Sequence, residues 1–278
     1  MLEDKKIFQE INLLKEEQHP YGGLKLLISA QKKILETHNN YSPNALILYK
    51  GVQDTAVAVF AIFQQADLSF LYRTLRYGVE CYVDLINLME SDKYLTVLKK
   101  YNKEELSSKE YPIIKEYMKK IKKHTLESPE NFRFKWKHKL LFADRSGNLD
   151  ASFRDYIELL YKAGGSCQHP SLAPVVMDTE TKRERTYEIL YCVLDLLTES
   201  FHLVLSEESL TETEKEGLKN YQILTAYEIL HHFKNPEDLL DYLLENGLWR
   251  EYSSLLEKEE AFPRIGFFSI NHYFRKPV

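Results

Sequence analysis

Glycine and proline are scarce in this chain of 278 residues, at 10 and 9. That scarcity excludes collagen-like, low-complexity and many-turned β architectures, and it fits long helices. Cysteine is limited to Cys81, Cys167 and Cys192, an odd and widely spaced set with no C-x-x-C pair. A disulfide scaffold is thereby excluded, and the thiols read as reduced core residues of a reducing compartment. No sign of charge dominates: the net charge is -5, so the whole molecule has no case as a polycation. Long apolar runs are missing too. The longest, Ala56 to Phe63, is far too short to cross a bilayer. Met1-Leu2-Glu3-Asp4-Lys5-Lys6 lacks the apolar stretch of a signal peptide. Together these predict a cytoplasmic protein with no membrane segment.

What is present is helical periodicity. Ile7, Ile11 and Leu14 begin it; Tyr187, Leu190, Leu194, Leu197 and Phe201 repeat it; Leu239, Leu240, Leu243 and Leu244 repeat it again. A spacing near 3.6 places one buried stripe on each helix, and no sustained alternation demands a sheet. The pattern predicts an all-α helical bundle with helices near 3–18, 22–38, 43–65, 67–90, 92–102, 109–124, 150–169, 180–205, 212–233, 236–246 and 248–258. The long connections are 125–149 and 170–179. Ser42-Pro43, Ser128-Pro129-Glu130 and Asn235-Pro236-Glu237 read as helix starts, and Thr211 with Glu214 as a capping box. Gly22-Gly23 reads as a turn. A shift to acidic composition near 206 divides the chain into a bundle over 1–205 and an acidic helical C-terminal part over 206–278.

Two constellations carry chemistry. In Arg73-Thr74-Leu75-Arg76-Tyr77-Gly78-Val79-Glu80, Arg76 and Glu80 stand one helical turn apart, Arg73 precedes them, and Asp84 continues the face among apolar neighbours. That predicts a central helix with partly buried charges. A buried arginine needs a partner, because an isolated charge is costly to desolvate. It is either an Arg–Glu pair fixing helix register or an arginine held ready for phosphate or carboxylate. The second constellation runs from Tyr161 through Ser166 and His169 to Pro170-Ser171. Proline ends the helix after His169, where the dipole favours the charged imidazole. His169 is thus either an acid or anion donor, or a core histidine bonded to a carbonyl or to Glu80. The Gly164-Gly165 pair predicts that another backbone approaches closely there.

Lys115 to Lys139 is basic and interleaved with Phe132, Phe134 and Trp136. Lys122, Lys123 and Lys135 are candidate phosphate contacts, with Trp136 and its neighbours stacking on bases. Against that stands a solvated face followed by aromatics that close the bundle. Glu228 with His231 and His232 lacks a second ligand pair, so no metal is expected, and no cofactor motif appears. The apolar tail Phe262-Pro263-Arg264-Ile265-Gly266-Phe267-Phe268 predicts docking on the body, on a protein partner or on a second copy.

Asn44 to Phe63, then Arg76-x-x-x-Glu80-x-x-Val83-Asp84-Leu85, then Tyr161 through Ser171 resemble the uncharacterised HEPN-like helical proteins of bacteria. The resemblance covers roughly residues 40–205. It implies a HEPN-like helical core with additional C-terminal helices, in a superfamily that includes metal-independent ribonucleases of toxin and phage-defence systems. Their signature is arginine, four to six residues, then histidine. Here the six residues before His169 contain no arginine, and Lys162 lies one position too early. A phosphate stabiliser would have to come from Arg73 or Arg76. The leading expectation is therefore a non-catalytic binding or regulatory protein of stress or phage defence, with its polar Arg–Glu–His interior as a structural lock or small-anion pocket. The alternatives are a ribonuclease using His169, Arg76 or Arg73 with Glu80, and a nucleotide-binding module.

Overall fold

In the computed structural model the chain is a helical bundle. It describes residues 22–38, 41–63, 68–121, 128–147, 149, 151–166, 179–231 and 244–248. The helices in chain order are α1 (Gly22–Thr37), α2 (Pro43–Ile62), α3 (Leu68–Glu90), α4 (Tyr94–Tyr101), α5 (Tyr111–Lys120), α6 (Trp136–Ser146), α7 (Ala151–Ser166), α8 (Thr179–Val204) and α9 (Glu212–His231). A single 3-10 turn, Glu207–Ser209, precedes α9. No strand occurs among the described residues. The expected helix over 3–18, nearly all of those over 236–246 and 248–258, and the aromatic tail lie outside the described residues.

α3 is the axis of the bundle. It packs against α2, α4, α6, α7 and α8. From Gly78 to Leu88 every residue except Glu80 is buried, so this half of the helix has no solvent side. A helix buried nearly all round belongs in the middle of its domain. α2 and α3 approach closely because small residues line their contact. A Cβ on Gly51 would stand 2.6 Å from Cys81 Sγ, and one on Gly78 would stand 2.7 Å from Thr55 Cγ2. Burial of Cys81 at this crossing pushes its thiol pKa up to about 11. α8 closes the other side, with Tyr49 of α2 edge-on to Phe201 at 6.2 Å.

α2 is long and apolar enough to cross a membrane by length and composition, which the uninterrupted run alone had excluded. Its apolar residues are used inside the bundle: Ala45, Tyr49, Val52, Ala56, Val59 and Phe60 are buried. Its exposed side carries the Lys50–Asp54 ion pair.

α9 pairs chiefly with α1 and more lightly with α8. Gly22 and Gly23 open α1 rather than making a free turn. The Gly23 amide donates to the buried Glu228 carboxylate at 3.0 Å, an acid at a helix start where the dipole favours it. Glu228 is thereby part of the α1–α9 contact; the side chains of His231 and His232 lie outside the described residues. The Thr211–Glu214 box forms as expected: Thr211 N–H donates to Glu214 Oε2 at 2.8 Å, and Glu214 N–H donates to Thr211 Oγ1 at 3.3 Å. Ser42 stands at the N-cap of α2 with Pro43 inside, although its hydroxyl makes no capping bond.

Two expectations fail between 125 and 149. Ser128-Pro129-Glu130 starts no helix. It makes an isolated turn in which the Asn131 and Phe132 amides donate to the Ser128 carbonyl. A helix, α6, then occupies Trp136–Ser146 in a stretch read as a connection. Its apolar period is concealed because a lysine, Lys139, fills a core position beside Leu140, Phe142 and Ala143.

Candidate functional site

The site is built on α3, which presents Arg76, Glu80 and Asp84 at successive turns. α6 and α7 pack across it. Arg76 is half-buried, and its Nε donates to Glu80 Oε1 at 3.1 Å. Its Nη2 donates to the Tyr161 hydroxyl of α7. The guanidinium carbon lies 4.1 Å from the centre of the Tyr161 ring. Trp136, at the start of α6, stacks on that ring at 3.9 Å and 9°. A parallel indole at that distance fills one face of the phenol, so the guanidinium occupies the other. The result is a three-layer sandwich of Trp136, Tyr161 and Arg76, held by stacking, cation–π attraction and a charge-assisted hydrogen bond. Burial raises the Tyr161 hydroxyl above its ordinary range, with the Glu80 carboxylate adding to the effect and Arg76 opposing it. At pH 7 it is a neutral phenol able to accept from Arg76.

One turn further along α3 the polar chemistry becomes sealed. Asp84 Oδ2 receives Lys139 Nζ at 2.7 Å, and Oδ1 receives the Tyr94 hydroxyl at 2.6 Å. The Lys139 side chain is only 2% exposed and lies over the Tyr101 ring at 3.7 Å. Asn87 Nδ2 donates to the Lys139 carbonyl at 3.0 Å and to the Val83 carbonyl at 2.9 Å, pinning α6 to α3. Burial pushes the Asp84 carboxyl above its ordinary value, while Lys139 and Tyr94 hold it down. Tyr101 stands between the two clusters: its ring underlies Lys139, and burial raises its hydroxyl pKa, with the Glu80 and Asp84 carboxylates adding to the effect.

No protein-family model, curated protein or solved structure matches the chain.

Of the residues singled out from sequence, Arg76, Glu80, Tyr161 and Trp136 meet. Asp84 continues their face as expected. Arg73 is exposed on α3 and lies outside the sandwich. Ser166 is the last residue of α7. His169, Lys122 and Lys123 lie outside the described residues. Lys135 is exposed at the N-cap of α6. Lys162 is exposed and pairs with Glu158 at 2.9 Å, on its own helix. At Gly165 the expected close backbone approach is not found: a Cβ there would stand 3.4 Å from a side-chain atom, Arg76 Nη1.

Phe132 and Phe134 are buried, and with His138, Phe142 and Tyr117 they form a connected aromatic cluster. The reading in which they stack on bases is overturned, because their faces are occupied by one another. Tyr94, Tyr101 and Asn87 were missed. No local pattern marks them, because each meets its partner across the fold. Lys139 was counted among the surface cations, and only its place in the α6 period could have separated it from them.

Proposed function

We propose that this chain is a non-catalytic binding or regulatory protein on a HEPN-like helical core, in which Arg76 locks the register of α7 and α6 on α3. The observation that carries this reading is the commitment of the guanidinium. Its Nε is given to Glu80, its Nη2 to Tyr161 and one face to the Tyr161 ring. An arginine that stabilises a scissile phosphate must have donors aimed at the developing charge. Here two of its three nitrogens are already bonded to protein. Lys162, the nearest cation in sequence to His169, is turned to Glu158. A cytoplasmic setting in bacterial stress or phage defence belongs to the same reading, and the buried thiols of Cys81 and Cys192 suit a reducing compartment. So does a partner, or a second copy, engaging the aromatic tail.

One observation favours the ribonuclease reading instead. α7 ends at Ser166, three residues before His169, and Arg76 Nη1 reaches the last turn of that helix beside Gly165. Labelled RNA incubated with the wild type, His169→Ala and Arg76→Ala separates the two. The lock predicts equal and negligible cleavage by all three, with Arg76→Ala lowered in stability. Cleavage by the wild type that either substitution abolishes would replace the lock with a catalytic site.

A further inference from the structure

Charge in this molecule is segregated along the chain. Residues 94–146, from the start of α4 to the end of α6, carry 14 basic and 7 acidic residues, which leaves 23 basic and 35 acidic elsewhere. An overall charge of -5 conceals this. A segregated distribution produces a local potential that the net charge does not report.

The segment before α6 shows how the basic side is made. Residues 132–135 lie outside any helix, and Lys135 is extended at φ -124°, ψ 162°. In extended chain successive side chains point to opposite sides. Phe132 and Phe134 point inward and are buried, while Arg133 and Lys135 point outward and are exposed. Lys137 continues the exposed set on the first turn of α6. Alternate residues of an extended strand stand about 6.6 Å apart, close to the step between successive phosphates of a nucleic acid strand. Arg133, Lys135 and Lys137 form no ion pair among the described residues. The adjoining turn adds Lys100, which donates to the Glu130 carbonyl, and Lys115, which together with Lys100 helps hold the Glu130 carboxyl below its ordinary value. Glu130 is the acid within this group. The two other acids of α5 and its approach are already paired, Glu110 with Lys99 and Glu116 with Lys93.

We infer that Arg133, Lys135 and Lys137, flanked by Lys100 and Lys115, form a binding edge for the phosphodiester backbone of nucleic acid, and that this edge reads phosphates and not bases. The second half follows from the burial of Phe132 and Phe134: the aromatic surfaces that would stack on unpaired bases are inside the protein. The edge lies on α4–α6 and is independent of the Arg76 lock, so either can fail alone.

Fluorescence anisotropy of the full chain with a labelled 20-nucleotide RNA tests this. Each phosphate neutralised on a single strand contributes about -0.7 to the slope of log affinity against log salt, so five contacts give about -3.5 and a weakening of about 100-fold from 50 to 200 mM KCl. The triple variant Arg133→Gln, Lys135→Gln, Lys137→Gln is expected to bind more than tenfold more weakly at 50 mM, with the slope reduced to about -1.4. The control Lys32→Gln, Lys33→Gln, Lys50→Gln removes the same charge from exposed positions on α1 and α2 and is expected to bind within twofold of the wild type. An oligouridine and a mixed sequence are expected to bind alike. Absence of binding at 50 mM, equal losses in the two triple variants, or a tenfold preference for one base sequence would each overturn the inference. Circular dichroism of both variants secures the comparison against misfolding.

Discussion

The two polar clusters along α3 contain the same chemistry in different amounts of water. At the rim, Arg76 and Glu80 keep 20% and 25% of their side-chain surface exposed; one turn on, Lys139 and Asp84 keep 2% and 9%. The sealed pair must satisfy its hydrogen bonds from protein alone, and it does so with Tyr94, while Asn87 ties the Lys139 carbonyl to α3. The rim pair can fall back on solvent when a partner is lost. Breaking the first strands a charge, whereas breaking the second mostly re-solvates one. Solvent access, more than the identity of the groups, sets what each pair is worth.

The largest expected effect breaks the sealed pair. Lys139→Met leaves Asp84 buried without its counter-charge and should cost about 3–5 kcal/mol in urea unfolding. Adding Asp84→Leu removes the stranded charge, and the double variant should recover most of that loss. A double variant as unstable as Lys139→Met would mean that the cost lies in packing. At the rim, Arg76→Ala should cost about 1–2 kcal/mol, from one charge-assisted bond and the stacked face of Tyr161. A loss equal to that of Lys139→Met would erase the distinction between the clusters.

Smaller effects sharpen the rim. Tyr161→Phe keeps the stack and loses the hydroxyl acceptor, for about 0.5–1.5 kcal/mol. Trp136 Nε1 is buried and finds no acceptor among the described residues. Trp136→Phe discards that unmet donor while keeping a ring on Tyr161, so its stability should stay within about 0.5 kcal/mol of the wild type, with Trp136→Ala clearly lower. The smallest effect is in pH. His138 sits on α6, which carries both Trp136 and Lys139, and its Nδ1 accepts the Lys135 amide at 3.1 Å. Burial, with Lys137 and Lys135 adding their charges, holds its pKa below the ordinary 6.5. The unfolded chain therefore takes up this proton first. The contribution is intact above pH 6.5 and is lost as pH falls from there through the lower folded value. Melting temperatures from pH 7.5 to 5.0 should fall more for the wild type than for His138→Asn. Parallel curves would remove His138 from the account.

The helices that sequence reveals best are those whose apolar stripe is unbroken. α3 is legible over nearly its full length because Leu71, Leu75, Val79, Tyr82 and Ile86 keep the period. The Thr211–Glu214 box is legible because its chemistry is local. α6 is not legible, because the residue facing α3 is a lysine and the aromatics before it belong to an extended segment, two patterns that overlap within a few positions. The same difficulty hides the site. Arg76 with Glu80 is a one-turn pair that spacing reveals, whereas Tyr161 lies 85 residues from Arg76 and Lys139 lies 55 from Asp84.

The order of apolar and polar residues alone determines that this chain forms helices, where most of them begin, and that charged groups stand on the most buried one. Each of those is settled within a turn or two of backbone, by hydrogen bonds to near neighbours and by which stripe avoids water. Tertiary packing decided which cations became internal and which stayed outside, and which aromatic faces were already taken. It did so because burial is a property of what lies opposite a side chain, and here what lies opposite comes from elsewhere in the chain.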